Sequence, residues 1–245
     1  MDEIYFYKIE IKIIRHVYYN KSHGYYNMPL FISLEGNIGA GKSTFLGHLE
    51  KSLHGNKDYV FLREPVHIWD TICDKEGNTV LSKFYQDPVK YAFAFQVMTY
   101  TTRYQELQRI LKENPECKVV VCERSLEADK QIFAKMLHDD GVMDDVMYSI
   151  YETYFSMYEG KFQMNGIVYA RADPDICFER IEKRSREGEN KISSDYLKNC
   201  HDYHENWLSH SKTPVLSLNV NSDDNDENVK SWLDKTYAFI QTLCT

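Results

Sequence analysis

The chain has little positive charge, no long apolar run and no paired cysteines, and each shortage closes off a class of protein. Lys and Arg number 29 against 37 Asp and Glu, a net charge of −8. A protein built to hold nucleic acid through its phosphates carries the opposite sign, so no nucleic-acid partner is expected. Any basic site must be local, and one lies near residues 180–191. No stretch approaches the roughly 20 apolar residues that cross a bilayer, so no membrane association is expected either. The six cysteines (Cys73, Cys117, Cys122, Cys177, Cys200 and Cys244) form no C-x-x-C pair and have no histidine at metal-ligand spacing. That pattern lacks a disulfide framework or a zinc site and reads as reduced thiols in a cytoplasmic compartment. The opening Met-Asp-Glu has the features of neither a secretory signal nor an acid-poor transit peptide, in keeping with a cytoplasmic location.

Linker-like sequence is missing too. Between residues 29 and 245 there is no Gly/Ser tract, proline cluster or internal repeat. One domain over 29–245 is expected, long enough for a proper core. Residues 1–28 stand apart as an extension of unassigned role, rich in tyrosine and holding one alternating run, Ile9-Glu10-Ile11-Lys12-Ile13. They suit an added edge strand or a tail.

What the chain does have is concentrated in Leu30-Phe31-Ile32-Ser33-Leu34-Glu35-Gly36-Asn37-Ile38-Gly39-Ala40-Gly41-Lys42-Ser43-Thr44. Gly36 to Ser43 fit G-x-x-x-x-G-K-[ST], a phosphate-cradling loop between a buried strand and a helix. Glycines let successive backbone N–H groups turn toward phosphates where a Cβ would block the approach. Lys42 sets a point charge at the β/γ-phosphates, Ser43 offers a hydroxyl to Mg²⁺, and the new helix adds its positive end. The context agrees, with an apolar strand before the loop and Phe45, Leu46, Leu49 and Leu53 on one helical face after it. The run predicts binding of a nucleoside triphosphate.

Strand-like runs fall at 30–34, 59–62, 119–122, 167–170 and 214–220. Helical stretches fall at 43–53, 88–112, 126–138, 144–159, 174–186, 193–209 and 226–243. Alternating β and α elements with near-continuous apolar strands predict an α/β fold, a parallel sheet with helices on both faces. Ligands in such sheets gather at the carboxyl ends of the strands. Charged residues collect there: Arg63-Glu64-Pro65, Glu123-Arg124-Ser125 and Arg171-Ala172-Asp173 each follow a strand. Glu64 is suited to accept a proton from an attacking hydroxyl, and Arg124 to hold that hydroxyl and the charge on a transferred phosphoryl group. Glu123 is in reach of Mg²⁺. Singly, such residues also serve as helix caps or surface ion pairs. Arg180, Arg184 and Arg186, at helical spacing, read either as a solvated helix face or as an arginine lid over phosphates.

Glu35 to Thr44, Arg63-Glu64-Pro65-Val66-His67-Ile68-Trp69, Phe95-Gln96 and Glu123-Arg124-Ser125 together resemble the deoxyribonucleoside kinases, in the family's order and from about Leu30 to the C-terminus. The deoxycytidine and deoxyguanosine kinases are the most similar branch. The resemblance implies a P-loop kinase fold with an arginine lid, acting as a homodimer. The implied reaction is Mg²⁺-dependent transfer of the γ-phosphoryl group of ATP, or another nucleoside triphosphate, to a deoxynucleoside 5′-hydroxyl. It makes Glu64 the general base, Arg124 the hydroxyl holder and Glu123 part of the magnesium shell. Trp69 falls in the substrate motif, Tyr85 and Glu189 at the sugar 3′-hydroxyl, and Gln96 at the base edge. Phe95 and Phe133 match aromatics that sandwich the base, though plain core packing explains them equally without the family. Arg180, Arg184 and Arg186 match the lid, and Asp223 falls in the loop holding the donor's base. Arg103, two helical turns after Gln96, and Asp129, one turn after Ser125, match a pair that the thymidine-accepting relatives replace with small or apolar residues. They imply a preference for deoxycytidine or a deoxypurine over thymidine, and otherwise read as a helix–helix salt bridge. Two other readings stay open: a thymidylate-type monophosphate kinase, and a nucleotide-binding module without catalysis.

Overall fold

The computed structural model describes residues 28–157, 160–185, 189–222 and 225–244. The alternating run at residues 9–13, Arg186 and Asp223 lie outside the described residues. Five strands, β1 (Leu30–Glu35), β2 (Tyr59–Leu62), β3 (Val119–Glu123), β4 (Gly166–Arg171) and β5 (Val215–Asn219), form one parallel sheet in the order β2-β3-β1-β4-β5. β1 and β3 run side by side with Leu34 opposite Glu123, so the loops that leave them open into the same region.

Period-two alternation sends successive side chains to opposite faces and splits the core into two layers. Phe31, Val120 and Cys122 face a cluster built with Tyr100, Leu107 and Tyr151. Ile32, Leu34, Val121 and Val168 face another, built with Phe45, Leu49, Ile181 and Ile240. The first layer is covered by α4 (Pro88–Glu113), α5 (126–139) and α6 (Asp145–Ser156), the second by α1 (Lys42–Ser52), α7 (Pro174–Arg184) and α9 (Asp226–Leu243). A further helix, α8 (Ser194–Ser209), contributes buried Leu197 and Cys200. The α/β fold with helices on both faces is as the sequence predicts.

Three local departures matter. Two short helices that the sequence pattern did not call, α2 (Val66–Trp69) and α3 (Val80–Gln86), follow β2, and Thr79 caps α3 by accepting from the Ser82 N–H at 3.2 Å. The helix expected over 174–186 ends at Arg184, where Ser185 turns left-handed at φ +50°. The helix expected over 126–138 is not uniform. α5 runs from Leu126–Ala128 through a wider π-helical stretch, Asp129–Ala134, to Lys135–Asp139. Such wide turns favour functional sites, and this one carries Asp129 and Phe133.

Candidate active site

The phosphate loop is shaped by close approach. A Cβ on Gly36 (φ +149°) would lie 2.5 Å from the Ala170 carbonyl oxygen, and one on Gly39 (φ +80°) 2.4 Å from that of Cys177. No side chain fits at either position. Asn37 pins the loop to α8 by donating Nδ2–H to the Leu197 carbonyl at 2.8 Å, while its Oδ1 accepts the Ile38 N–H. Lys42 curls back to donate to the carbonyls of Gly36 (3.0 Å) and Asn37 (2.8 Å). Burial, reinforced by the positive charge of Arg124, lowers its pKa to about 8. Ser43 donates its hydroxyl to Glu123 Oε1 at 2.5 Å, joining the loop to the end of β3.

A cleft of about 380 Å³ opens in front of this loop. Gly39, Lys42, Ser43 and Thr44 line one end, Glu64, Glu123 and Arg124 the middle, and Trp69, Tyr85, Phe95, Gln96, Arg103, Asp129 and Phe133 the other. Arg184 and Glu189 close the rim and bind each other, with Arg184 Nε donating to Glu189 Oε2 at 3.1 Å. A second cavity of about 400 Å³ lies across the loop, lined by Ala40, Thr44, His48, Arg180, Asn221 and Trp232. Arg180 sits there: it donates to the carbonyls of Ala40 (3.3 Å), Val220 (2.9 Å) and Ser222 (3.2 Å). It thereby links the phosphate loop to the turn after β5.

Charge in the main cleft is tightly organised. Arg103, on α4, is 1 % exposed and binds with every nitrogen. Its Nε donates to Asp129 Oδ2 (3.0 Å), Nη1 to the Glu123 carbonyl (3.0 Å), and Nη2 to Glu64 Oε1 (3.0 Å) and Asp129 Oδ1 (3.4 Å). Arg124 Nε stands 3.4 Å from the same Glu64 oxygen. Burial alone would raise the Glu64 pKa, but Arg124, Arg103 and Lys42 together outweigh it and hold it at about 2. For Asp129, burial wins over Arg103 and the pKa is raised.

Aromatic rings wall the far end. Phe95 stacks on Phe84 with ring centroids 4.7 Å apart and meets Trp69 edge-on at 5.8 Å. Trp69 Nε1–H donates to Thr102 Oγ1 at 2.9 Å, fixing the indole. Phe133 carries the Arg124 guanidinium over its ring at 4.5 Å. Tyr85 lies beside Glu189; burial first, then that carboxylate, raises its pKa. Gln96 lines the cleft, and among the described residues its Oε1 is buried with no hydrogen-bond donor.

Thus the described residues read from the sequence as acceptor-side groups lie in one cleft, and Arg180 faces the other cavity. Sequence reasoning missed Thr99 and Tyr196, which line the cleft. Thr99 was available from spacing, since it sits between Gln96 and Arg103 on the face of α4 that both occupy. Tyr196 had no local signal, because α8 returns to the site only through the tertiary fold.

Comparison with known proteins agrees with this geometry. The family model for deoxynucleoside kinases matches residues 32–241. A probable deoxycytidine kinase of fowlpox virus is 38 % identical over 222 residues, covering 86 % of this chain and 88 % of that protein. Human deoxycytidine kinase is 32 % identical over 241 residues, covering 86 % and 91 %. Mitochondrial deoxyguanosine kinase of Xenopus laevis is 31 % identical over 220 residues, covering 78 % and 82 %. With its phosphate loop and charged cleft set side by side on β1 and β3, the chain belongs to the deoxynucleoside kinase family.

Proposed function

We propose that this kinase transfers the γ-phosphoryl group of ATP, or another nucleoside triphosphate, to the 5′-hydroxyl of deoxycytidine or a deoxypurine in preference to thymidine, as a nucleotide-salvage step. The observation that carries the reading is Arg103, which binds Asp129 and Glu64 with one guanidinium. Base recognition and the reacting end of the acceptor are thereby held by a single buried group. Asp129 presents an acceptor to the exocyclic amine of cytosine or adenine and stands where a thymine 5-methyl would need apolar space. Gln96 faces the base edge, Phe95 and Phe133 its two sides, and Tyr85 and Glu189 the sugar 3′-hydroxyl.

Glu64 accepts the 5′-hydroxyl proton. A carboxylate whose pKa is about 2 is a weak base, and this suits a loose phosphoryl transfer, in which the proton leaves late and alignment matters more than basicity. Arg124 and Lys42 stabilise the transferring group from two sides, and Arg180, Arg184 and Arg186 act as the lid. The donor lies along the phosphate loop with its base toward the second cavity, and Asp223 keeps the donor-base role that the resemblance implies. Ser43 and Glu123 converge as two oxygen donors beside the loop, a pair suited to Mg²⁺, which keeps most of its shell for phosphates and water. Bound there, the ion would neutralise charge on the β- and γ-phosphate oxygens.

Val146, Ile150 and Met157 leave an apolar stripe exposed along α6 and its C-terminal end, which supports the homodimer. The kinase domain is taken to span 29–245. Free cysteines throughout the described chain support a reducing, cytoplasmic setting. The test is ADP release with ATP and Mg²⁺, offering each of the four deoxynucleosides and dTMP. Turnover of deoxycytidine or a deoxypurine with weak thymidine use is expected. Activity on dTMP alone would overturn the reading in favour of a monophosphate kinase.

A further inference from the structure

Arg124 has a backbone that arginine rarely adopts. Its φ is +67°, in the left-handed region, and among the described residues only one other non-glycine, Ser185, shares that sign. Something must hold it there, because relaxation to the ordinary region would swing the side chain away from Glu64.

The holding contacts come from consecutive residues of β1. The Arg124 N–H donates to the Leu34 carbonyl at 3.0 Å. The next amide, the Ser125 N–H, donates to the Glu35 side chain, Oε1, at 2.9 Å. These two amides belong to the peptide planes on either side of the Arg124 Cα. Fixing both planes fixes both of its dihedral angles, and so the direction in which the guanidinium leaves the chain. Glu35 is 0 % exposed, no cation stands within ion-pair distance of it among the described residues, and its Oε2 has no donor there. A carboxylate is a costly group to bury with one hydrogen bond. Elsewhere in the fold, a helix start is capped by a small surface side chain such as Thr79 or Asp144. Here Ser125 already caps α5 with its own hydroxyl at 3.0 Å from the Ala128 N–H, so Glu35 is surplus to capping.

We propose that Glu35 is a positioning residue for phosphoryl transfer: its carboxylate clamps the Ser125 amide and holds Arg124 in the left-handed conformation that aims the guanidinium at the reacting groups. The guanidinium reaches Glu64 (3.4 Å) and the Gly36 carbonyl (3.4 Å), while Nη1 is buried with no partner among the described residues. Gly36 follows Glu35 directly, and its carbonyl also receives Lys42. One residue at the end of β1 therefore sets the phosphate loop and the arginine at a fixed offset. This inference rests on the proposed role of Arg124 and gives that role its geometric cause.

The experiment is a double-mutant cycle on kcat, with KM for deoxynucleoside measured alongside. Glu35→Ala should lower kcat by about 10²-fold, the scale of an ångström-level misplacement of a catalytic group, with KM within about threefold. Glu35→Gln keeps an oxygen acceptor for the Ser125 amide and should keep kcat within about threefold. In an Arg124→Ala background, Glu35→Ala should change kcat by less than about threefold, because the group it positions is already gone. If Glu35→Ala does not fold, Glu35→Asp, which withdraws the acceptor by one methylene, takes its place with the same expectation. Effects that multiply in the double variant, or a loss in Glu35→Gln equal to that in Glu35→Ala, would overturn the positioning role. Unchanged kcat in Arg124→Ala alone would instead overturn the reading of Arg124.

Discussion

Under the proposed function, substrate choice, stability and the charge of Glu64 all depend on Arg103 and Asp129, and replacing the pair separates those three effects. Their side chains are 2 % and 3 % exposed. Asp129→Ala leaves a buried guanidinium with Glu64 as its remaining carboxylate partner; Arg103→Met leaves a buried carboxyl without its ion-pair partner. Breaking a buried pair from one side costs about 3–5 kcal/mol, which in a chain of this size lowers Tm by roughly 6–20 °C. The double variant Arg103→Met/Asp129→Ala removes both charges together, so its loss should fall short of the summed single losses by about 2 kcal/mol or more. Glu64 then keeps Arg124 and Lys42 but loses its 3.0 Å donor. Its pKa should rise by about one unit or more, moving the acidic limb of kcat/KM upward. The thymidine-to-deoxycytidine ratio of kcat/KM should rise about tenfold or more, as the polar end of the pocket becomes apolar. Thermal denaturation of the four proteins and a coupled assay on both nucleosides measure all of this. Additive stability losses together with an unmoved ratio would refute the reasoning and leave the pair as a structural bridge.

Other outcomes follow from single groups. Glu64→Ala should lower kcat by roughly 10²–10⁴ in a protein that still folds, as for loss of a general base; near-parental turnover in a folded protein would remove Glu64 from the chemistry. Lys42, at about 8, loses its charge as pH rises, so kcat/KM for ATP should decline above about pH 8, and a flat profile to pH 9.5 would contradict its contact with phosphate. His204 is buried against Tyr169 and Phe133, and burial, aided by Arg124, lowers its pKa well below the usual value. The unfolded chain takes up that proton near pH 6.5 while the folded one does not, so stability falls as pH drops below about 6.5, by up to ~1.4 kcal/mol per pH unit. Urea midpoints at pH 5.5 and 7.5 should show this difference shrinking in His204→Phe, and an equal difference in both proteins would reject it.

How legible all this was depends on the range of the interaction. The phosphate loop could be read residue by residue, because contiguous chain makes it: glycines where Ala170 and Cys177 press close, then Lys42 and Ser43. The parallel sheet was legible because a strand buried on both faces must be apolar throughout. The two short helices after β2 were not, since α2 has four residues and α3 seven, too few for a periodic signal. The burial of Arg103 was equally hidden. Spacing put it on the face of Gln96, but only the fold brings Asp129, Glu64 and the Glu123 carbonyl round it. Tyr196 arrives from α8, far away in the chain, and Glu35 looks like one more residue of an apolar strand until its partner is seen.

The wide turn Asp129–Ala134 has a consequence for how such a pocket can change over time. A π turn holds one residue more than an α turn, so removing one residue from it would return α5 to an ordinary helix with the flanking segments close to their present orientation. Asp129 and Phe133 share that turn, so a change of length there would reorient a buried carboxylate and an aromatic wall of the cleft in one event. Gain or loss of a single codon there would thus reshape one end of the cleft while sparing the rest of α5.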